Sequence, residues 1–117
     1  MKILLVDDST TMRRIEKTQL IALGITDIDE AGNGSEAIEK LAAGSYDVVL
    51  LDWNMPVMDG YTMLKNVRQK EAYNNIKIIM CTSESEKSKV VEALKAGANN
   101  YIVKPFTPES LKEKLGI

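Results

Sequence analysis

The chain is predicted to be an α/β domain in which a five-stranded parallel sheet carries helices on both faces. Three observations carry that prediction. Apolar runs at residues 3–6, 48–51 and 78–81 are continuous rather than alternating, as in strands buried on both sides. Segments of helical period separate the runs, and strand and helix alternate five times, (βα)5. That alternation implies parallel strands joined by right-handed crossovers.

Each element has its own signature. Residues 3–6 (Ile-Leu-Leu-Val) read as a first strand, and residues 10–23 as a helix with Met12, Ile15 and Leu23 near helical spacing and Gly24 as its stop. Residues 25–31 form a weaker strand. Residues 33–43 place Ala37, Ile38, Leu41 and Ala42 on one helical face and end at Gly44. After the strand at 48–51, Asp59 caps a helix running to about Lys70, with Leu64 and Val67 inward. Residues 76–81 form the fourth strand. Ser83 and Glu86 then have capping-box spacing ahead of a helix that ends near Ala96 and Gly97. Residues 101–103 make the last strand, and Thr107-Pro108 supplies an N-cap and a first-turn proline for a helix that turns Leu111 and Leu115 inward. No linker, low-complexity stretch or repeat beyond this alternation divides the 117 residues, so one domain over 1–117 is expected.

Composition narrows the chemistry. With 15 basic and 17 acidic residues the formal charge is −2, against the marked basicity of nucleic-acid-binding domains. Histidine is absent, which excludes imidazole acid–base catalysis, Ser-His-Asp and Cys-His systems and imidazole-based zinc sites. The single cysteine, Cys81, excludes an internal disulfide and reads as core. No apolar run approaches the roughly 20 residues of a membrane helix or the core of a signal peptide. A cytoplasmic location, with no membrane association, is expected. Residues 59–117 carry 10 basic and 7 acidic groups, spread as on solvated helix faces. Whatever chemistry exists must run on carboxylates, hydroxyls and lysine.

Open parallel sheets bind ligands at the carboxyl ends of their strands. Asp7 and Asp8 end the first strand, Asp52 the third, Thr82 the fourth and Lys104 the fifth. Three carboxylates gathered there repel one another and must retain a proton or bind a cation. Hard oxygen ligands without His or Cys suit Mg²⁺ rather than zinc. A metal, an ammonium and a hydroxyl together form a phosphoryl-binding arrangement. A carboxylate can itself be the nucleophile, giving an aspartyl phosphate, and the central Asp52 is the candidate. Simpler readings stand beside these: Asp8 as the N-cap of the following helix, Thr82 as an ordinary strand-end threonine, Asp59-Gly60 as a helix start. Trp53 and Met55 are expected to border the cleft. An X-Pro bond can be cis, and a cis Lys104-Pro105 bond would aim the lysine over the strand ends.

The runs Val6-Asp7-Asp8-Ser9 with Met12-Arg13-Arg14, Asp52-Trp53-Asn54-Met55-Pro56 with Met58-Asp59-Gly60, Thr82, and Lys104-Pro105-Phe106 resemble, in order and spacing, the receiver domain of bacterial two-component response regulators. The likeness covers essentially the whole chain and is strongest to single-domain chemotaxis regulators. It implies a flavodoxin-like doubly wound sheet of strand order 2-1-3-4-5. It further implies that Asp52 accepts a phosphoryl group from a sensor histidine kinase of the CheA type. By the same likeness, Asp7, Asp8, Asp52 and the backbone carbonyl of Asn54 hold Mg²⁺, Thr82 and Lys104 contact the phosphoryl group, and Tyr101 is an aromatic switch coupled to Thr82. The implied output partner is the flagellar motor switch, with a phosphatase as a further partner and a monomer as the expected state. No output domain is expected, nor turnover of a separate substrate. Two departures stand out: residues 107–117 make a final helix more than a turn shorter than the family's usual one, and Ser83-Glu84-Ser85-Glu86 replaces an Ala-rich segment. The alternatives are a receiver serving a non-chemotaxis partner, a small aspartyl-phosphate phosphatase, which would need a substrate-binding cap, and a flavin carrier, whose phosphate Asp7 and Asp8 would repel.

Overall fold

The computed structural model describes residues 1–83 and 88–117. Five strands, β1 (Lys2–Val6), β2 (Asp27–Ala31), β3 (Val48–Asp52), β4 (Lys77–Thr82) and β5 (Asn100–Val103), pair in parallel in the order β2-β1-β3-β4-β5. The helices are α1 (Thr10–Ala22), α2 (Gly34–Ala43), α3 (Gly60–Arg68), α4 (Val90–Lys95) and α5 (Pro108–Leu115), with a 3₁₀ turn at Glu71–Tyr73. Every residue of β3, the central strand, is buried. That accounts for its unbroken apolar sequence up to Asp52.

Strand alternation divides the core into two layers. Leu4, Val49, Leu51, Ile78 and Met80 meet Ala37 and Leu41 of α2, Met63 and Leu64 of α3 and Ala93 of α4. Ile3, Leu5, Leu50, Ile79 and Cys81 point the other way, onto Leu20 of α1 and Leu111 and Leu115 of α5. Cys81 is therefore core, as expected. The chain leaves β1 toward β2 and later returns to β3 on the other side of β1. The carboxyl ends of β1 and β3 consequently flank a crevice at the point where strand order reverses.

Helix entries follow the expected chemistry. Asp59 Oδ1 accepts from the Thr62 N–H at 2.8 Å, and Thr107 and Ser110 form a reciprocal capping box with Pro108 in the first turn. The cap of α1 is Ser9, whose Oγ accepts from the Met12 N–H at 3.1 Å, so Asp8 is not spent on capping.

Several expectations need correcting. The face of α1 that meets the sheet carries Glu16 and Leu20, whereas Ile15 is exposed and Met12 and Leu23 are only partly covered. β2 begins at Asp27 rather than Ile25 and is half-exposed along most of its length, being the sheet edge. α3 stops at Arg68, two residues early. Arg68 is no solvated helix charge: its guanidinium donates to the carbonyls of Gly97, Tyr73 and Ile76 and to Asn99 Oδ1. The 3₁₀ turn falls among these contacts and has no period of its own in the sequence. Of the Ser83–Glu86 capping pair, Glu86 lies outside the described residues, and the described part of α4 starts at Val90. Trp53 is buried, its ring stacked on Tyr61 at 5.3 Å between centroids.

Candidate functional site

The register carries side chains of alternate faces to one edge. Leu5 pairs with Leu50 and Asp52 with Cys81, so Asp7 and Asp52 continue the face that packs on α1 and α5. Lys104, two residues beyond Ile102, continues the same face from β5. Three elements thus deliver two acids and one ammonium to a common point.

There Lys104 Nζ donates to Asp7 Oδ2 at 2.8 Å and to Asp52 Oδ1 at 2.7 Å. Both carboxylates are buried. The Lys104-Pro105 bond is cis, as the sequence allowed. Asp7 is fixed from three further directions: its Oδ1 accepts from the Ser9 N–H at 2.8 Å, its N–H donates to Ala31 O at 3.1 Å, and its carbonyl accepts from Arg13 Nη1. Arg13 is in turn held by Glu30 at 3.0 Å.

Asp8 completes the acidic group from the exposed side. Carboxylate oxygens of Asp7, Asp8 and Asp52 all lie within 4.8 Å of one another. Burial first, and the neighbouring Asp7 and Asp8 charges second, push the Asp52 carboxyl up to about 6, against the pull of Lys104. Burial alone would lower the Lys104 ammonium, but its bonds to Asp52 and Asp7 outweigh that and hold it above its ordinary value. The group therefore demands positive charge, and its all-oxygen, carboxylate donor set fits a hard divalent cation such as Mg²⁺. Asn54 is exposed in the loop two residues beyond Asp52.

Thr82 and Tyr101 belong to the opposite face. The pairs Met80–Tyr101 and Thr82–Val103 put Thr82 and Tyr101 on the same side of adjacent strands, two positions apart. Thr82 is fully buried, and its Oγ1 has no hydrogen-bond partner among the described residues. Tyr101 is partly exposed, packs on the cluster that contains Met80, and has the Lys114 ammonium 4.7 Å from its ring centroid. A buried hydroxyl with unused bonding capacity is uncommon in a folded core.

Two residues at the site escaped the sequence reading. Gly60 opens α3 with its N–H donating to Trp53 O at 2.9 Å. A Cβ there would overlap the Asp52 carbonyl oxygen and sit 3.0 Å from its carbon. The glycine thus lets α3 press against the main chain of Asp52, a close approach that a Gly after an N-cap Asp only hints at. The second is Glu16, buried on the site side of α1. A charged residue at a core position of the helical period was the available signal.

The chain matches the model of the response regulator receiver domain over residues 3–116. It is 56% identical to chemotaxis protein CheY1 of Helicobacter pylori, across 100% of this chain and 95% of the relative. A CheY homologue of Campylobacter jejuni is 53% identical, over 98% of this chain and 89% of that one. Among solved structures, chemotaxis response regulator CheY4 of Vibrio cholerae superposes with a TM-score of 0.89 at 37% identity, covering 98% of this chain and 95% of its own.

Proposed function

The chain belongs to the response regulator receiver family, and we propose that Asp52 is the phosphoacceptor through which a sensor histidine kinase of the CheA type switches it on in chemotaxis. Its relatives' chemotaxis names and the two-component family support signalling by phosphorylation rather than metabolic turnover. The observation that carries the assignment of Asp52 is the Lys104 ammonium held between Asp7 and Asp52 at 2.8 and 2.7 Å.

A carboxylate oxygen of Asp52 attacks phosphorus, forming an O–P bond as the N–P bond of the donor phosphohistidine breaks and its electron pair returns to the imidazole. Asp7, Asp8, Asp52 and the Asn54 carbonyl would hold Mg²⁺, which supplies charge stabilisation to the transferring phosphoryl oxygens. Lys104 already lies against Asp52 and needs little movement to pair with the new oxygens. Because it is bonded to two carboxylates, it stays charged throughout. Thr82 Oγ1, buried without a partner among the described residues, donates to the phosphoryl group once it is present. Phosphorylation adds close to two negative charges, drawing Thr82 toward them and opening space for the Tyr101 ring on the same sheet face. The surface around α4, β5 and α5 then takes its second arrangement, by a shift in populations.

The output is binding to the flagellar motor switch, with a phosphatase resetting the signal. The test is affinity for a purified flagellar motor switch protein before and after phosphorylation. Phosphorylated wild type should bind several-fold more tightly, while Asp52→Asn treated identically should remain at the basal level. Equal affinity in all three states would refute the motor-switch assignment.

A further inference from the structure

The loop that carries Lys104 is fastened to α1 by a side chain that takes no part in the chemistry above. Gln19 donates through Nε2 to the Phe106 carbonyl at 2.9 Å, across 87 residues of sequence. Its other amide atom, Oε1, is buried and has no hydrogen-bond partner among the described residues. The layer that α1 and α5 share is apolar, with Leu20, Phe106, Leu111 and Leu115 in it. An amide with one arm unpaired costs stability where an aliphatic side chain would not. Packing therefore does not account for Gln19; its bond to Phe106 does.

Phe106 lies two residues beyond Lys104. On the other side, the Lys104 N–H donates to Thr82 O at 2.7 Å, which ties the loop to β4. Lys104 thus stands between two anchors, β4 before it and α1 after it. The second anchor is itself set against the acidic group, because Ser9 caps α1 directly after Asp8 and Arg13 donates to the Asp7 carbonyl. One helix starts at the acids and holds the loop that brings the ammonium to them.

We propose that Gln19 is a positioning residue for phosphoryl transfer: through the Phe106 carbonyl it holds Lys104 where the oxygens of the incoming phosphoryl group arise. This role rests on the reading of Asp52 as the phosphoacceptor and of Lys104 as its charge partner. The ammonium, 2.7 Å from Asp52 and 2.8 Å from Asp7, must pass from the carboxylates to the new oxygens. Lysine is a point charge on a flexible stem, so its placement in that step depends on where its own main chain is held. A misplacement of about 1 Å can cost about 10²-fold in rate. The flexible stem recovers part of that, leaving about tenfold. Asp7 and Asp52 are set by β1 and β3, so Mg²⁺ affinity should not change.

The test is the rate of phosphorylation by a small-molecule phosphodonor with Mg²⁺, followed by intact mass, in wild type, Gln19→Met, Lys104→Met and the double variant. Methionine keeps the length and removes the donor. Gln19→Met should slow transfer about tenfold in the wild-type background. In the Lys104→Met background it should change the rate by less than about twofold, because a residue that acts through another adds nothing once the other is gone. Its stability loss in urea should be the same in both backgrounds. Equal slowing in both, none in the first, or an undiminished rate in Lys104→Met would each overturn the proposal while leaving Asp52 standing as the acceptor. No phosphoryl uptake by wild type would overturn both. Gln19→Asn keeps the amide but falls one methylene short of Phe106, and should slow as Gln19→Met does; a wild-type rate there would overturn the proposal. So would a Mg²⁺ affinity, read by Trp53 fluorescence, that falls in step with the rate in Gln19→Met.

Discussion

Replacing Gly60 by alanine adds one methyl group where the structure has no room for it. The new carbon would overlap the Asp52 carbonyl oxygen and stand 3.0 Å from the Asp52 carbonyl carbon and 3.1 Å from Trp53 Cα. All three obstacles are main chain, so no side-chain rotation relieves them. Either β3 or the first turn of α3 must shift by about 1 Å to restore ordinary contact. Overpacking of this kind costs about 1–3 kcal/mol, and rigid backbone on both sides places Gly60→Ala toward the upper end, offset by up to about 1 kcal/mol from alanine's better helix propensity. A net loss of about 2 kcal/mol is expected, a large share of a domain's total stability. The matched control is Gly44→Ala, where the backbone is extended (φ −148°) and a Cβ meets nothing closer than 3.7 Å. That change should stay within about 0.5 kcal/mol. Urea unfolding followed by Trp53 fluorescence measures both. Since the shift falls on the main chain of Asp52, phosphorylation by a small-molecule phosphodonor should also slow by roughly 10²-fold in Gly60→Ala. If Gly60→Ala matches Gly44→Ala in both stability and rate, the close approach of α3 to Asp52 has no consequence and the reasoning fails.

Three other outcomes are expected. Folded Glu16 holds its proton up to about pH 8, whereas the unfolded chain releases it near 4.5. The folded state therefore binds the extra proton between those values, and stability falls as pH rises; Asp52 adds the same sign only up to about 6. From pH 6 to 8 the wild type should lose up to about 3 kcal/mol, and Glu16→Leu should lose much less and exceed wild type at pH 8; equal slopes by urea unfolding would contradict this. Val57 is exposed and adopts φ 70°, a left-handed conformation that a β-branched residue resists. Val57→Asn should raise stability by about 1 kcal/mol, read as a higher urea midpoint, and a lowered midpoint would refute it. Thr82→Ala should still accept a phosphoryl group at Asp52 yet gain little affinity for its partner, and activation equal to wild type would break the proposed coupling to Tyr101.

The strands were legible because burial on both sheet faces leaves continuous apolar runs, and the chemistry because strand ends gather at one edge. Asp7, Asp8, Asp52 and Lys104 announce themselves by following those runs, and the structure unites them. Glu16 was missed for the opposite reason. A charged side chain reads as solvated, and the apolar Ile15 beside it drew the helical face one position out of register. Arg68 was hidden likewise, since its value lies in four acceptors that only the folded chain gathers, two just beyond its helix and two about thirty residues on. Gly60 could be read as a turn residue, but the need for a missing Cβ arises only when α3 meets β3. Local pattern shows what an element is; which backbone presses against it is a tertiary fact.

The central claim is that Asp52 takes up one phosphoryl group, and intact-mass measurement after incubation with a small-molecule phosphodonor and Mg²⁺ tests it most directly. Wild type should gain the mass of a single phosphoryl group, no gain should occur when the metal is chelated before the donor is added, and Asp52→Asn should gain nothing. An equal gain in Asp52→Asn, or a gain mapped by fragmentation to another residue, would contradict the account.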